Sequence, residues 1–439
     1  MRVVVVGAGL AGLRTAEELR AAGCEVVLIE GGNRPGGRVR TVHDLFVGGQ
    51  YSESGAEWVD SVHTRMLAQL ERFGVECLGV GEQWTTIRRW LHHEGRLMSP
   101  DDMRVADPAM FDQLEEFDRI VEAAADGIVD AAHPHLHPDA AALDVQSLAD
   151  VAEQAHLGEL AALFRRRDSQ GEFAEEPQRV SLLFVAQQRA HQRDIGGSAV
   201  VSAHRVAGGF SRVAEGMAAG LAECLTYGEH LIGVEQHGSH VAVHTDQRRL
   251  TADHVVLACS LVPLREVQFD SDMPATLRRA IDELGYGTVT KTSVQWPHRN
   301  WPSGYATTSG RAQRIYEPTI DQAGEQGILM SYCGGDGGRT WAEMPEAERV
   351  ALAAAEMRAM HGLADEPLGG YSRAWNTLPR FGGSYAVYQP GQVTAHWQVL
   401  REPWGRVHLA GEHVATCTGY MEGALETGES VAARIVAAG

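Results

Sequence analysis

The sequence predicts an α/β protein of two domains: a Rossmann-like dinucleotide-binding domain and a second domain of mixed sheet and helices. Three observations predict this fold. The chain has 439 residues of which 44% are hydrophobic, it contains 49 glycines, and it opens with a strand, a glycine-rich turn and a helix. A chain of this length exceeds the usual size of one hydrophobic core, so two domains are expected. Abundant glycine suits the many tight turns of an α/β fold.

The first strand and the turn after it carry the most specific local signal. Residues 2–6 (RVVVV) form a short β-branched run typical of a buried parallel strand. The following GAGLAG places Gly7, Gly9 and Gly12 at G-x-G-x-x-G spacing, and the pattern then predicts a helix over 10–22. In such a turn the first glycine allows the bend, the second lets a pyrophosphate touch the backbone, and the third packs the helix on the strand.

The helix start and the next strand complete a dinucleotide site. Free N–H groups at the helix start, near Leu10 and Ala11, can meet phosphate charge. The strand at 25–29 (EVVLI) ends at Glu30, 18 residues after Gly12, where a carboxylate can accept hydrogen bonds from a ribose diol. The same carboxylate would repel the 2′-phosphate of NADP.

A second glycine-rich loop follows Glu30 directly and distinguishes FAD from NAD. Residues 31–40 (GGNRPGGRVR) can approach the other side of a pyrophosphate, which a simple NAD fold does not require. With this continuation the sequence resembles the flavin amine oxidase family. The segment 55–58 (GAEW) is similar to the family's loop beside the flavin ring. The resemblance implies a two-dinucleotide-binding-domain flavoprotein that binds FAD.

The middle of the chain has helical periodicity over about 82–203, with helices predicted at 110–129 and 148–167. This region is interpreted as a helical insertion over a substrate cavity. Its HPHLHP segment is predicted to be a solvated loop, because the prolines prevent a shared helical face, and no metal site is expected.

Strand and helix patterns typical of the nucleotide domain return after residue 208, so the domains are predicted to be discontinuous. The FAD-binding domain is assigned to 1–81, 204–285 and 391–439, and the substrate-binding domain to 82–203 and 286–390.

The C-terminal run VHLAGEHVATCTGYMEG predicts a strand, a small loop and a helix that begins near Met421. A helix N-terminus directed at a flavin would stabilise negative charge on the N1–C2=O side of the ring. The resemblance places the Met421 backbone near the ring and Glu412 near the ribityl chain. The cofactor-binding residues implied by the motif and the resemblance together are Gly7, Gly9, Leu10, Ala11, Gly12, Glu30, Gly31, Gly36, Gly37, Arg38, Gly55, Ala56, Glu57, Trp58, Leu231, Trp375, Gly411, Glu412, Gly419, Tyr420 and Met421.

Three residues are candidates for catalysis. Tyr385 (in FGGSYAVYQPG) and Tyr420 occupy the two positions where the family has aromatic side chains that flank the substrate nitrogen. Their ring faces can orient an amine and direct its α C–H towards flavin N5. Lys291 (in GTVTKTSVQW) is a single cation in an apolar strand, where burial without a partner is costly. The family places a lysine in the corresponding strand, linked through water to flavin N5.

Composition, and one residue that differs from the family, predict how FAD is attached, which partners are disfavoured and where the protein is located. Animal monoamine oxidases attach FAD to a cysteine where this chain has Ser384, so non-covalent FAD is expected. The formal net charge of −20 disfavours nucleic acid and anionic membranes as partners. Scattered cysteines and the lack of a signal peptide or long apolar run predict a cytoplasmic protein. A homodimer is compatible with the sequence.

The expected activity is oxidation of a primary or secondary amine by hydride transfer, giving an imine, then a carbonyl compound, with O₂ reduced to H₂O₂. An L-amino acid oxidase would share these motifs but needs a cation for the substrate carboxylate, for which Arg88, Arg89 and Arg380 are candidates. A polyamine oxidase would use acidic walls, with Glu57 as a candidate. A flavin desaturase or a non-catalytic flavin-binding protein would not require the two tyrosines and the lysine together.

Overall fold

The computed structural model describes residues 1–79, 88–196, 204–302 and 304–438. Its strands are β1 Arg2–Val6, β2 Glu25–Glu30, β3 Thr41–Val42, β4 Ser52–Glu53, β5 Cys77–Gly79, β6 Arg88–His93, β7 Arg96–Met98, β8 His204–Val206, β9 Leu225–Tyr227, β10 Leu231–His237, β11 His240–Thr245, β12 Arg249–Ala252, β13 His254–Leu257, β14 Gln268–Phe269, β15 Gly285–Tyr286, β16 Val289–Trp296, β17 Gly304–Thr308, β18 Arg314–Tyr316, β19 Gly327–Gly334, β20 Gly369–Ala374, β21 Ala386–Val387 and β22 Val407–Leu409.

The α-helices are α1 Leu10–Ala21, α2 Thr64–Arg72, α3 Pro100–Ala106, α4 Met110–Asp126, α5 Ala140–Asp144, α6 Leu148–Gln154, α7 Glu159–Glu172, α8 Leu182–Asp194, α9 Ser211–Ala219, α10 Leu261–Leu264, α11 Ala275–Glu283, α12 Gly335–Ala342, α13 Glu346–His361, α14 Gln392–His396 and α15 Met421–Ala438. Short 3₁₀ turns connect several of them.

A five-stranded parallel sheet with the order β22-β13-β1-β2-β9 forms the nucleotide-binding half of the molecule. The central strand β1 is buried on both faces, as its run of valines predicts. Val3 and Val5 belong to a core cluster shared with α1, α9 and α15. Val4 and Val6 belong to a second cluster that continues into the antiparallel sheet β12-β11-β10-β14. The predicted α/β class is therefore confirmed.

A seven-stranded sheet with the order β20-β16-β19-β18-β17-β6-β7 forms the other half. Strand β16 lies between β19 and β20, and all eight of its residues are buried. Neighbouring strands and the helices α12 and α13 cover both faces of this strand. Two of the strands, β6 and β7, lie in the region that the sequence predicted to be helical.

The helix predicted at 148–167 is divided into α6 and α7. His156 adopts a left-handed conformation with φ of 52°, and Gly158 caps the start of α7 in an extended conformation. This break redirects the chain, so that α7 ends at Glu172 beside the candidate site. None of the helices in the described ranges is long and apolar enough to cross a bilayer. The six cysteines are free thiols.

Candidate active site

The first glycine-rich turn has the geometry that its sequence predicts. Gly7 has φ of +104°, and a Cβ there would lie 2.8 Å from the carbonyl oxygen of Ala258. A Cβ at Gly12 would collide with the carbonyl oxygen of Gly7, so the packing of α1 on β1 requires a glycine here. A Cβ at Gly9 would meet nothing within 4 Å. Gly9 therefore borders open space at the start of α1, where the backbone can receive a phosphate.

Glu30 joins this turn to the second glycine-rich loop. Its carboxylate accepts hydrogen bonds from the backbone N–H groups of Ala8 (2.8 Å) and Gly32 (2.6 Å). The backbone of residues 228–229 pairs with Glu30 and Gly32, which brings the start of β10, at Leu231, next to the loop. Leu231 itself is half-buried against the core. This arrangement gathers the residues expected around the adenosine.

The second loop packs back onto the first turn. Gly36 and Gly37 have φ of +94° and +57°, and the N–H of Gly36 donates to the carbonyl of Ala8 at 2.8 Å. A Cβ at Gly37 would lie 3.4 Å from the Cα of Gly9. The two loops therefore border the same space. Gly31 lies on the outer side, where its carbonyl accepts a hydrogen bond from Arg380 (3.0 Å).

Arg38 links the N-terminal loop to the C-terminal segment. Its Nη1 lies 2.6 Å from Oε1 of Glu412 and 2.7 Å from the carbonyl oxygen of Ser384. Burial opposes the charge on Arg38, but the attraction of Glu412 outweighs burial and raises the pKa of the guanidinium above its ordinary value. Glu412 also accepts hydrogen bonds from the N–H groups of Ala386 and Gly419. This ion pair fixes three separate stretches of chain around one cleft.

The C-terminal segment turns sharply into the last helix. Gly411 has φ of +146° and Gly419 has φ of +88°, conformations that favour glycine. Helix α15 begins at Met421, as predicted, and Met421 is buried. Tyr420 caps the helix, since its carbonyl accepts the N–H of Ala424. The first turn of α15 therefore starts at the edge of the cleft.

Lys291 is not the isolated cation that its sequence context suggested. Its ammonium lies 2.7 Å from Oε2 of Glu57, 2.9 Å from the carbonyl oxygen of Gly55 and 3.3 Å from that of Glu53. An ammonium has three donors, so these acceptors use them all. The Lys291–Glu57 ion pair forms because β16 crosses beneath the 55–58 loop, which the sequence did not indicate.

Glu57 is the centre of a buried network that also contains Lys291, Tyr316 and Arg205. The Tyr316 hydroxyl donates to Oε2 of Glu57 at 2.6 Å, and Arg205 Nη2 lies 3.6 Å from Oε1. Burial would raise the pKa of Glu57, but the charges of Lys291 and Arg205 outweigh burial and hold that pKa below its ordinary value. With only 4% of its surface exposed, Glu57 does not form an acidic wall for a polyamine. The network instead anchors Gly55, Ala56 and Trp58, which remain partly accessible.

Trp375 supports the same loop from the other side. Its indole N–H donates to the carbonyl oxygen of Ser54 at 2.8 Å, and its ring packs edge-on against Phe381. Trp375 is 2% exposed, so it holds the loop in place and presents little surface to the cleft.

Tyr385 and Tyr420, here called the tyrosine pair, both lie next to Gly419, Tyr420 as its neighbour in the chain. A Cβ at Gly419 would lie 3.6 Å from the Tyr385 ring. The Tyr385 hydroxyl bonds to that of Tyr332 at 2.9 Å and to the Gly171 carbonyl at 3.3 Å. Both rings are partly accessible, although burial raises the pKa of each phenol well above its ordinary value. The tyrosine pair therefore presents neutral, partly accessible aromatic surfaces.

Tyr420 is positioned by His63, whose ring meets it edge-on with centroids 5.2 Å apart. Burial and the charge of His191 lower the pKa of His63 to about 4, so this imidazole is neutral at physiological pH. Its Nδ1 accepts the N–H of Asp60 at 3.0 Å. A neutral, fixed imidazole holds the Tyr420 ring without adding charge to the cleft.

Several residues of the site were not identified from the sequence. Tyr316, Tyr332 and Arg205 contact the predicted residues, but each lies in a strand where a polar or aromatic side chain carries no motif. Of the arginines considered for a substrate carboxylate, Arg380 is exposed and holds the loop at Gly31. Arg88 and Arg89 begin β6, and their side chains lie outside the part of the chain that the structure describes.

The residues present fit FAD. The open space at Gly9 and Gly37 suits a pyrophosphate, and the Glu30 carboxylate at the end of β2 suits a ribose diol. The ion pair of Arg38 with Glu412 joins the second glycine-rich loop to the C-terminal segment, where the ring of the cofactor is expected. The tyrosine pair lies at the end of this series.

The comparisons with known proteins agree with this geometry. The family model "flavin containing amine oxidoreductase" matches residues 10–436. An L-amino acid dehydrogenase of Synechocystis is 25% identical over 99% of this chain and 94% of its own length. A putative flavin-containing monoamine oxidase of Mycobacterium tuberculosis is 28% identical over 99% of this chain and 96% of its own.

Among solved structures, cyclohexylamine oxidase from Brevibacterium oxydans superposes with a TM-score of 0.87 at 22% identity, covering 100% of this chain and 99% of its own. The chain therefore belongs to the flavin-containing amine oxidoreductases.

Proposed function

We propose that this protein is an FAD-dependent oxidase of a primary or secondary amine, with FAD held non-covalently. The observation that carries this proposal is the tyrosine pair, two neutral and partly accessible rings at the end of the predicted cofactor cleft. The ring faces of phenols that stay neutral can orient a neutral amine and leave its nitrogen lone pair available. When bound, FAD supplies the acceptor for a hydride from the substrate α-carbon.

The residues of this chain perform positioning and electrostatic tasks. The faces of Tyr385 and Tyr420 hold the amine so that its α C–H points towards the cofactor. As the hydride leaves, the nitrogen lone pair forms the C=N bond of an imine. Water then adds to the imine and releases a carbonyl compound with ammonia or a smaller amine. With O₂ as acceptor, two electrons and two protons leave as H₂O₂.

Lys291 keeps a supporting role in this proposal. Its ammonium is engaged by Glu57 and two carbonyl oxygens, so it fixes the 55–58 loop beside the cofactor cleft. A role of Lys291 through water at flavin N5 requires one of these hydrogen bonds to be exchanged when FAD binds.

An L-amino acid is the second candidate substrate, because the Synechocystis relative is named an L-amino acid dehydrogenase. The two candidates differ in the need for a cation near the substrate carboxylate.

The test is a screen of oxygen consumption and H₂O₂ formation with aliphatic and aromatic amines and L-amino acids. Alcohols of the same carbon skeletons serve as controls, because they lack the nitrogen lone pair. The proposal expects turnover of at least one amine with its carbonyl product and no turnover of the matching alcohol. Turnover of amino acids alone would favour the second candidate, and turnover of neither class would contradict both.

A further inference from the structure

Glu172, the last residue of α7, lies beside the tyrosine pair. The preceding carbonyl, that of Gly171, accepts a hydrogen bond from the Tyr385 hydroxyl at 3.3 Å. The Glu172 side chain is exposed, and desolvation by the surrounding protein raises the pKa of its carboxyl above the ordinary value. The hydrogen bond at Gly171 therefore brings the end of α7, and with it Glu172, next to Tyr385. The charge of Glu172 also raises the pKa of Tyr385 and that of Tyr420, which agrees with a position close to both phenols.

The Glu172 carboxylate has no hydrogen-bond or ion-pair partner within the described ranges. The cations around it are engaged elsewhere. Arg314 lies 2.9 Å from Asp168 and stacks over Tyr305, and Arg165 lies 2.5 Å from Asp118. Arg189 lies nearer to Glu122, at 3.8 Å. A carboxylate that is desolvated and has no partner of opposite charge has a strong tendency to bind a cation.

We propose that Glu172 binds a second, distal ammonium of the substrate, so that this protein selects diamines over monoamines. The inference rests on the proposed amine oxidation and names the substrate class of the same site. The reacting nitrogen lies neutral between the faces of Tyr385 and Tyr420, and the distal ammonium lies against Glu172. A substrate carboxylate at this position would be repelled by Glu172, which disfavours amino acids that carry an acidic group there.

The test compares butylamine, pentylamine and hexylamine with putrescine, cadaverine and hexamethylenediamine, so that each diamine has a monoamine of equal length. We expect kcat/KM of the best diamine to exceed that of its monoamine by about 10- to 100-fold, the range of a charge pair shielded from water. Glu172→Gln should remove this advantage by raising KM for diamines, with kcat and the monoamine parameters changed less than about threefold.

Two further variants separate the charge of Glu172 from other effects. Glu172→Asp keeps the carboxylate and should retain part of the diamine preference. Glu159→Gln removes one negative charge at the opposite end of the same helix, about 20 Å away at about 1.5 Å per residue. It should leave the preference intact. Equal loss of monoamine and diamine activity in Glu172→Gln would overturn the proposal and indicate a structural role.

The outcomes also distinguish this inference from the proposed function. If the wild-type protein oxidises monoamines as well as diamines of equal length, the inference fails and amine oxidation stands. If it oxidises norvaline in preference to pentylamine and cadaverine, the inference also fails, in favour of amino acids. If no amine is oxidised at all, the proposed function itself is wrong.

Discussion

Replacing Lys291 by methionine tests whether the Glu57 network holds the loop beside the cofactor cleft. Methionine has a similar length but no charge, so the carboxylate of Glu57 stays buried, and Tyr316 and Arg205 are its remaining side-chain partners in the described part of the chain. Glu57 is then short of its closest cation, which lies 2.7 Å away in the native structure.

The expected magnitude follows from this distance and from burial. Two unit charges at 2.7 Å attract by about 6 kcal/mol when the effective dielectric constant is about 20. Desolvation of both groups offsets much of this attraction, and removing one partner of a buried ion pair costs about 3–5 kcal/mol. We therefore expect Lys291→Met to lower the free energy of unfolding by about 3–5 kcal/mol.

The assay is denaturant unfolding of the parent, Lys291→Met, Glu57→Gln and the double variant at equal FAD saturation. Because the double variant removes both charges, it should be more stable than the sum of the single effects indicates, by at least about 1.5 kcal/mol. Tyr316→Phe, which removes one hydrogen bond to the same carboxylate, should cost only about 1.5–3 kcal/mol. Two results would refute the reasoning. One is a double variant whose loss of unfolding free energy equals the sum of the two single losses, and the other is a loss below about 1 kcal/mol in Lys291→Met, as for a surface ion pair.

Four other outcomes are expected. Burial and the charge of Glu57 raise the pKa of Glu53 from 4.5 to about 7. Between these two values the folded protein keeps a proton on Glu53 that the unfolded chain releases. The free energy of unfolding should therefore fall by about 3 kcal/mol as the pH rises from 4.5 to about 7. In denaturant unfolding measured at a series of pH values, Glu53→Gln should make the free energy of unfolding depend less on pH over this range. Gly9→Ala should keep the thermal stability of the parent but lose bound flavin, because the added methyl group occupies the open space at this turn. Gly12→Ala should lose both stability and flavin, because its methyl group meets the backbone of Gly7. Thermal unfolding and the flavin-to-protein ratio measure the two effects. In steady-state kinetics, Tyr385→Phe should retain kcat/KM within about tenfold of the parent, because the ring face and not the hydroxyl orients the amine. Tyr385→Leu, which removes the ring, should lower kcat/KM further. Equal losses in the two variants would contradict this role of the ring. Acid precipitation should release all the flavin into the supernatant, since Ser384 cannot form the thioether of a cysteine; flavin retained in the pellet would contradict non-covalent binding.

The nucleotide half was predictable because its signals are local. The run at 2–6 forms β1, the glycines at 7, 9 and 12 have the conformations and contacts expected of them, and α15 begins at Met421. In each case a few adjacent residues determine the backbone path. The two apolar runs at 230–236 and 240–246 are likewise adjacent in the chain, and they form the antiparallel pair β10–β11.

The rest depends on contacts between distant parts of the chain. Lys291 and Glu57 are 234 positions apart, and no local pattern indicates that one would neutralise the other. Strand β6 joins the large sheet by pairing with β17, and β7 pairs with β6. The residue pattern within 88–98 does not indicate this partner. Glu172 resembles any acidic residue at a helix end until the break at His156 and Gly158 places α7 against Tyr385.

Anaerobic mixing of the purified flavoprotein with amines, followed by the absorbance of the bound flavin, tests amine oxidation most directly. It separates hydride transfer from the identity of the final electron acceptor. The account predicts that at least one amine bleaches the flavin and yields the corresponding carbonyl compound in equal amount. A flavin that stays oxidised with every amine and amino acid would contradict it.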